Sequence, residues 1–113
     1  MKPPEMMIEI LPWNSNSPID DPAYEPEVVE GFKQMKRKYG VWGWCNIEVE
    51  ASFGEFSGSD FLSACSYKSK QDFMQCDYFN TMQSEALANL EQNIRKAEET
   101  IAAYRAIHPK ETP

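Results

Sequence analysis

The feature that most constrains this chain is a C-terminal stretch, from about residue 78 to residue 107, without glycine or proline. Within it, apolar residues alternate at spacings of three and four and end at the sole histidine: Leu87, Leu90, Ile94, Ala97, Ile101, Tyr104 and His108. This spacing places one seam along one side of an α-helix, in the heptad pattern. The sequence therefore predicts a helix of about 30 residues, ~45 Å long, that ends before Pro109.

Such a helix is longer than a small sheet needs, and this leaves two interpretations of its seam. In the first, the seam packs against the sheet of its own chain, as in many globular proteins, and the helix extends beyond that sheet. In the second, the seam meets another copy of the chain and forms a homodimer. The homodimer interpretation uses Leu87, Leu90, Ile94, Ala97, Ile101 and Tyr104.

A shorter helix is predicted to begin at Pro26, because proline suits the first turn of a helix. Its apolar face repeats at helical spacing and consists of Val28, Phe32, Met35 and Tyr39. Gly40 is a natural end for this helix. The basic residues at positions 36 to 38 fall in its last turn, where cations offset the helix dipole, so they need no nucleic acid to explain them.

Apolar runs predict strands at residues 5–11, 41–52 and 61–67. Residues 52–60, SFGEFSGSD, contain two glycines and several small polar residues, so we expect a wide or bulged connection between two antiparallel strands. Together, these segments predict an α+β fold. A small antiparallel sheet of about two to four strands packs against one long C-terminal helix and one shorter helix.

The length of 113 residues predicts a single domain spanning residues 1–113. Four prolines interrupt residues 12–26, which we expect to form an acidic arm or loop, and residues 108–113 are expected to be a disordered tail. The N-terminus lacks the apolar core of a signal peptide, and no stretch approaches the ~20 apolar residues of a membrane span. We therefore expect a cytoplasmic protein of a bacterial host cell, without membrane contact.

The stretch VWGWCNIEVEAS, residues 41 to 52, alternates between two faces if it is a strand. One face then carries both tryptophans and both glutamates: Trp42, Trp44, Glu48 and Glu50. Glu55 and Asp60 follow in the connection. Aromatic anchors beside charged residues are typical of protein-binding surfaces. In the alternative interpretation, the long C-terminal helix covers Trp42 and Trp44, and the strand emerges into water at Glu48.

The charge of the chain is acidic, with a formal net charge of −7. An acidic field repels nucleic acid and anionic membranes and attracts basic proteins, although it also serves plain solubility. The predicted arm adds Asp20 and Asp21 to the acidic surface. The partner-binding residues predicted from the sequence are Trp42, Trp44, Glu48, Glu50, Glu55, Asp60, Asp20 and Asp21.

The residues suited to catalysis or metal binding are few and poorly spaced. His108 is the only histidine and lies near the C-terminus, so a Cys–His or Ser–His–Asp site is not expected. The cysteines, Cys45, Cys65 and Cys76, are odd in number, and no two have the spacing of a zinc knuckle. That argues against a disulfide framework and against a structural metal. The chain is therefore expected to be no enzyme and to need no cofactor or metal.

The combined character of the chain resembles small acidic orphan proteins of phages and mobile elements, a class that includes anti-CRISPR and anti-restriction inhibitors. The features that carry the resemblance are the segment GVWGWCNIEVEASFGEFSGSDFLSACSY, the acidic proline-rich arm and the single long helix. The resemblance implies a non-enzymatic inhibitor that blocks a nucleic-acid-binding host defence protein through an acidic surface. The alternatives are an assembly module that homodimerises through the heptad seam and a small enzyme or ligand-binding domain.

Overall fold

A computed structural model describes residues 3–15 and 23–108. In chain order its elements are β1 (Met6–Asn14), α1 (Pro26–Tyr39), a 3-10 turn (Gly40–Gly43), β2 (Cys45–Phe53), β3 (Phe56–Cys65), α2 (Lys70–Met74) and α3 (Asp77–Ile107). The strands form one antiparallel sheet in the order β1-β2-β3, and the predicted α+β class is confirmed. The middle of the predicted acidic arm, with Asp20 and Asp21, and the tail after residue 108 lie outside the described residues.

The core forms between the central strand β2 and the first half of α3. Alternation along β2 turns four apolar side chains to one side, and each is completely buried: Cys45, Ile47, Val49 and Ala51. Buried side chains of α3 pack in the same core, at helical spacing: Phe79, Met82, Ala86 and Leu90. Each fully buried large apolar side chain contributes about 1.5–3 kcal/mol, so this layer is the main source of stability.

The hairpin between β2 and β3 is tight, and the prediction of a wide connection over residues 52–60 is wrong. Phe53 lies opposite Phe56, so only Gly54 and Glu55 form the turn. Gly54 has a φ of 59°, a left-handed conformation that suits glycine at this position. The third strand therefore begins at Phe56 instead of residue 61, and it ends at Cys65.

The small residues of this segment belong to a strand because α3 crosses β3 there. A Cβ atom on Gly58 would lie 2.1 Å from the backbone nitrogen of Leu90 and 2.6 Å from the carbonyl oxygen of Ala86. Only a residue without a side chain permits this approach. The glycine that resembled a turn signal is thus the point of contact between sheet and helix.

The strand β1 extends further than predicted, through Pro12 to Asn14, so the start of the predicted acidic arm is part of the sheet. A proline is tolerated there because β1 is an edge strand, where one backbone side needs no ladder partner. The strand β2 starts later than predicted, at Cys45. The residues before it form the 3-10 turn and a single bend at Trp44.

The shorter helix α1 begins at Pro26 and ends before Gly40, as predicted. Gly40 has a φ of 66°. The helix packs on the 3-10 turn, where the ring of Phe32 stacks on that of Trp44 with centroids 3.9 Å apart. Backbone of α1 at Met35 also lies where a Cβ on Gly43 would be.

The long helix α3 contains 31 residues, about 46 Å of helix. The sheet covers the first half of its apolar seam and leaves the second half exposed. Leu90 is buried and Leu87, Ile94 and Ala97 are half-buried, whereas Ile101 and Tyr104 are exposed. The helix therefore packs on its own sheet and then extends beyond it, as the first interpretation of the seam expected.

Candidate binding surface on the open face of the sheet

Within residues 3–15 and 23–108, no element covers most of the side of the sheet opposite α3, and we call this side the open face. It carries alternate residues of all three strands: Met7, Glu9, Leu11, Trp13, Asn46, Glu48, Glu50, Ser52, Ser57, Ser59 and Phe61. Every one of them is exposed or half-buried. None of them is basic, and both ion pairs formed by the described residues lie elsewhere, on α1 and α3. The open face is thus a large surface of one charge sign.

Three carboxylates form an acidic row across β1 and β2. Glu9 lies directly opposite Glu50 in the strand register, and Glu48 lies two residues from Glu50, at a distance of about 7 Å along the strand. Like charges directly opposite one another in a sheet are destabilising. The acidic row therefore holds a repulsion that a cationic partner would relieve.

One residue of the acidic row is held in place by its neighbour. The hydroxyl of Ser59 donates a hydrogen bond of 2.7 Å to the Oε2 atom of Glu48. Ser59 is opposite Glu50 in the register, so this bond runs diagonally between β3 and β2. It holds the carboxylate of Glu48 in place through its Oε2 atom.

Two aromatic rings form an apolar cluster at one end of the same face. Trp13 and Phe61 contact edge to face across β2, with centroids 6.4 Å apart, and remain 43% and 59% exposed. Leu11, opposite Glu48, is 38% exposed and extends the cluster. Large exposed aromatic side chains beside charged residues are the usual anchors of protein interfaces.

The two tryptophans singled out by the sequence do not serve as these anchors. Trp44 is only 9% exposed and lies under Phe32, and Trp42 is half-buried near Phe73, with centroids 6.0 Å apart. The alternative interpretation expected the long C-terminal helix to cover both tryptophans, and this is wrong: side chains of α1 and α2 contact them instead. Glu48 and Glu50 are half-buried. Sequence reasoning missed Trp13 because it lay in the proline-rich arm. The period-two alternation of Met7, Glu9, Leu11 and Trp13 was the available signal.

The remaining predicted partner-binding residues are dispersed. Glu55 is exposed in the hairpin turn, at the opposite end of the sheet from Trp13. Asp60 is in β3 opposite Val49, so alternation places it on the α3 side of the sheet. The structure thus brings Glu48 and Glu50 together, adds Glu9 to them, and separates Asp60 from them.

The three cysteines lie near one another, around the end of the sheet. Cys45 is opposite Cys65 in the register, and their Sγ atoms are 3.9 Å apart. The hydrogen bond between the two thiols lowers the pKa of Cys45, while the same bond and burial raise the pKa of Cys65. The Sγ atom of Cys76 donates to the hydroxyl of Tyr67 over 3.6 Å. Burial, with this contact, raises the pKa of Tyr67.

The histidine is far from these thiols. Cys76 precedes the first residue of α3 and His108 follows its last residue, so about 46 Å of helix separates them. The ring of His108 instead contacts that of Tyr104, with centroids 4.8 Å apart and the ring planes tilted by 35°. Within one chain, His108 therefore does not pair with Cys76.

Among residues 3–15 and 23–108, no group of three or more histidine, cysteine or acidic side chains has a geometry that could hold a metal ion. No helix in the same part of the chain has the length and apolar character needed to cross a membrane. A depression of about 310 Å³ is lined by Ala88, Glu91, Gln92 and Arg95, all from α3. A surface lined by one helix alone does not enclose a small molecule.

No protein-family model, curated protein or solved structure matches this chain significantly. The candidate site is therefore defined by its chemistry: a row of carboxylates, an exposed aromatic cluster and no basic residue on one face of a sheet.

Proposed function

We propose that this protein is a non-enzymatic binding protein and that the open face is its binding surface. The partner is a protein with a basic surface, of the nucleic-acid-binding kind implied by the resemblance to phage inhibitors. The observation that supports the proposal is the combination of Glu9, Glu48 and Glu50 with the exposed rings of Trp13 and Phe61 on one face.

Each part of this surface has a distinct role in the proposed complex. Lysine or arginine side chains of the partner lie along the acidic row and relieve the repulsion between Glu9 and Glu50. Trp13 and Phe61 bury their rings against an apolar part of the partner and supply most of the affinity. The carboxylates chiefly speed association and select a basic partner, so binding weakens as salt rises.

The same chemistry explains how such a protein inhibits a nucleic-acid-binding partner. A groove that binds phosphates presents arginine and lysine side chains, and carboxylates compete for the same donors. A carboxylate row that occupies the groove excludes the nucleic acid without any catalytic step. Neither a cofactor nor a metal takes part, and the proposed site of action is the cytoplasm of a bacterial host.

The test begins with tagged protein used to capture partners from a bacterial lysate, eluted by a salt gradient. Any captured partner is then measured against the double variant Glu48→Lys, Glu50→Lys. The control is Glu85→Lys, Glu99→Lys, which changes the net charge equally at exposed positions of α3. We expect the open-face variant to bind at least ~100-fold more weakly, as about 3 kcal/mol of lost interaction would give, and the control to bind almost normally.

Two outcomes would contradict the open-face proposal. If both double variants weaken binding equally, net charge and not the face determines binding. If Trp13→Ala with Phe61→Ala leaves affinity unchanged, the aromatic cluster is not an anchor. Circular dichroism of each variant confirms that it is folded before its binding is interpreted.

A second candidate function is self-association through the end of α3. Beyond the sheet, three large side chains of this helix are exposed: Ile101 at 52%, Tyr104 at 49% and Ile107 at 73%. Ile101 and Tyr104 continue the seam whose first half is covered by the sheet, and Ile107 flanks it. A second copy of the chain carries the same seam and is its natural occupant.

The charges that flank this seam favour an antiparallel pair. Glu98 and Arg105 both follow a seam residue, at equivalent heptad positions. When two helix ends run antiparallel and Ile101 packs against Tyr104 of the second copy, Glu98 of each copy lies beside the second copy's Arg105. A parallel pair would place Arg105 beside Thr100 instead. The overlap involves only about two helical repeats, so we expect a weak dimer below ~1,200 Å² of buried surface.

Sedimentation equilibrium tests this second candidate. We expect Ile101→Asp to remain monomeric without loss of thermal stability, because Ile101 is exposed in its own chain, while Ala102→Asp, away from the seam, dimerises normally. Glu98→Arg alone should weaken the dimer, and adding Arg105→Glu should restore it. A native chain that stays monomeric up to ~1 mM, the limit of weak association, or a double variant that fails to recover, would refute it.

A further inference from the structure

We propose that Cys45 and Cys65 are a redox-modification site that forms a reversible disulfide between β2 and β3. The two residues are direct partners in the strand register, and their Sγ atoms are already 3.9 Å apart. The spacing of the cysteines in the sequence argued against a disulfide framework. Strand pairing overrides that argument, because it brings together residues far apart along the chain.

The backbone geometry of this pair suits a disulfide. Directly opposed residues in an antiparallel sheet have Cα atoms about 4.5–5.5 Å apart, and disulfides span Cα distances of about 4.4–6.8 Å. Side-chain rotation can therefore bring the sulfurs from 3.9 Å to the bonding distance of about 2.05 Å. The disulfide can therefore form without a change in the distance between β2 and β3.

The position of the pair gives an oxidant access. Cys45 is the first residue of β2 and Cys65 is the last of β3, so the pair lies where the sheet ends. Next to it, Ala64 has a φ of 53° and the register shifts between Cys45 and Ile47, which marks a β-bulge. Cys45 is completely buried and Cys65 is half-buried in the closed strand pair. Peroxide therefore reaches Cys45 when the strand ends open, which they do more readily than strand centres.

The thiols are arranged for a two-step oxidation by a peroxide. The hydrogen bond between the two thiols lowers the pKa of Cys45, and the thiolate is the reactive form. The thiolate attacks one peroxide oxygen, the O–O bond breaks, and Cys45 becomes a sulfenic acid as hydroxide leaves. The sulfur of Cys65 then attacks the sulfur of Cys45, the S–O bond breaks, and the oxygen leaves as water with the proton of Cys65. The two thiols lose two electrons, and peroxide is reduced to water.

The third cysteine provides the experimental control. Cys76 donates to Tyr67 and does not pair with Cys45 in the sheet. The full chain with Cys76→Ser is treated with hydrogen peroxide and measured by intact mass, followed by alkylation with iodoacetamide. We expect a product lighter by two hydrogen atoms, with both remaining thiols protected, and full recovery of two reactive thiols after dithiothreitol.

Peptide mapping of the oxidised native chain completes the test, because it does not depend on any variant. The expected product joins the peptides that contain Cys45 and Cys65. We expect the oxidised protein to melt about 10–15 °C above the reduced protein, as for a disulfide that closes a loop of this size. Addition of oxygen to either thiol without a disulfide, or a bond that involves Cys76, would overturn the proposal. Because the test requires no partner and no self-association, its outcome is independent of the proposed function.

Discussion

The contact between Gly58 and α3 makes a sharp prediction about stability. Replacing Gly58 with alanine adds a Cβ atom 2.1 Å from the backbone nitrogen of Leu90, inside any allowed contact distance. The neighbouring atoms are backbone, so no side chain can rotate away. The helix or the strand must retreat by roughly 1.3 Å to reach the shortest ordinary contact of 3.4 Å.

The expected cost follows from what this retreat disturbs. Overpacking that shifts backbone costs about 1–3 kcal/mol. A gap of about 1 Å between packed layers forfeits up to half of each dispersion contact it opens. Ala86 and Leu90 are the buried residues of α3 beside the clash. We therefore expect Gly58→Ala to lower the free energy of unfolding by about 3 kcal/mol, the upper end of this range, and the melting temperature by about 15 °C.

Urea unfolding followed by tryptophan fluorescence and circular dichroism measures this loss, with Gly31→Ala as the matched control. Gly31 lies within α1, is exposed, and has open space within 4 Å of the position that an alanine Cβ would take. The same chemical change there should raise the free energy of unfolding by about 0.5–1 kcal/mol, because alanine favours helix over the unfolded chain. A Gly58→Ala protein whose unfolding free energy stays within about 0.5 kcal/mol of the native value would refute the crossing of α3 over β3 at this residue.

Three further perturbations test other contacts. Trp44→Ala should lower the free energy of unfolding by about 3–5 kcal/mol, because it removes the ring stacked on Phe32; an unchanged urea midpoint would contradict this burial. Asn89→Ala should lower the free energy of unfolding by about 1 kcal/mol, because the side-chain nitrogen of Asn89 donates a 2.8 Å hydrogen bond to the carbonyl of Ser59. Thermal melting measures this loss of stability. Burial raises the pKa of Tyr67 above its usual value of 10.0, so the stability that its protonated form contributes is complete below pH 10 and is lost as pH rises toward the folded pKa. Between pH 10 and pH 12, unfolding titrations should therefore show a steeper loss for the native chain than for Tyr67→Phe, and equal slopes would contradict the shift.

The two main helices could be predicted from the sequence because their signals are local. Pro26 and Gly40 bound α1, and the absence of glycine and proline with steady helical spacing defines α3. These signals act within a few residues of each helix, through backbone dihedral preferences and neighbouring side chains. The class of fold followed from them together with the apolar runs.

The sheet could be predicted only in part, because its details depend on contacts between distant segments. The segment around Gly58 looked like a loop by composition, yet it is a strand because the backbone of α3 requires the space. Pro12 looked like the start of a loop, yet an edge strand accommodates it. Only strand pairing brings Glu9 to Glu50, Trp13 to Phe61 and Cys45 to Cys65.

By itself, then, the sequence determined the helices, the acidic charge and the α+β class of this protein, since each depends on residues close together or on composition alone. The tertiary structure decided which side chains are exposed and which of them meet. Trp44 is buried because Phe32 stacks on it, whereas Trp13 is exposed because nothing in the described part of the chain covers its side of β1. Burial and register are set by the packing of one element on another, and no local pattern contains that information.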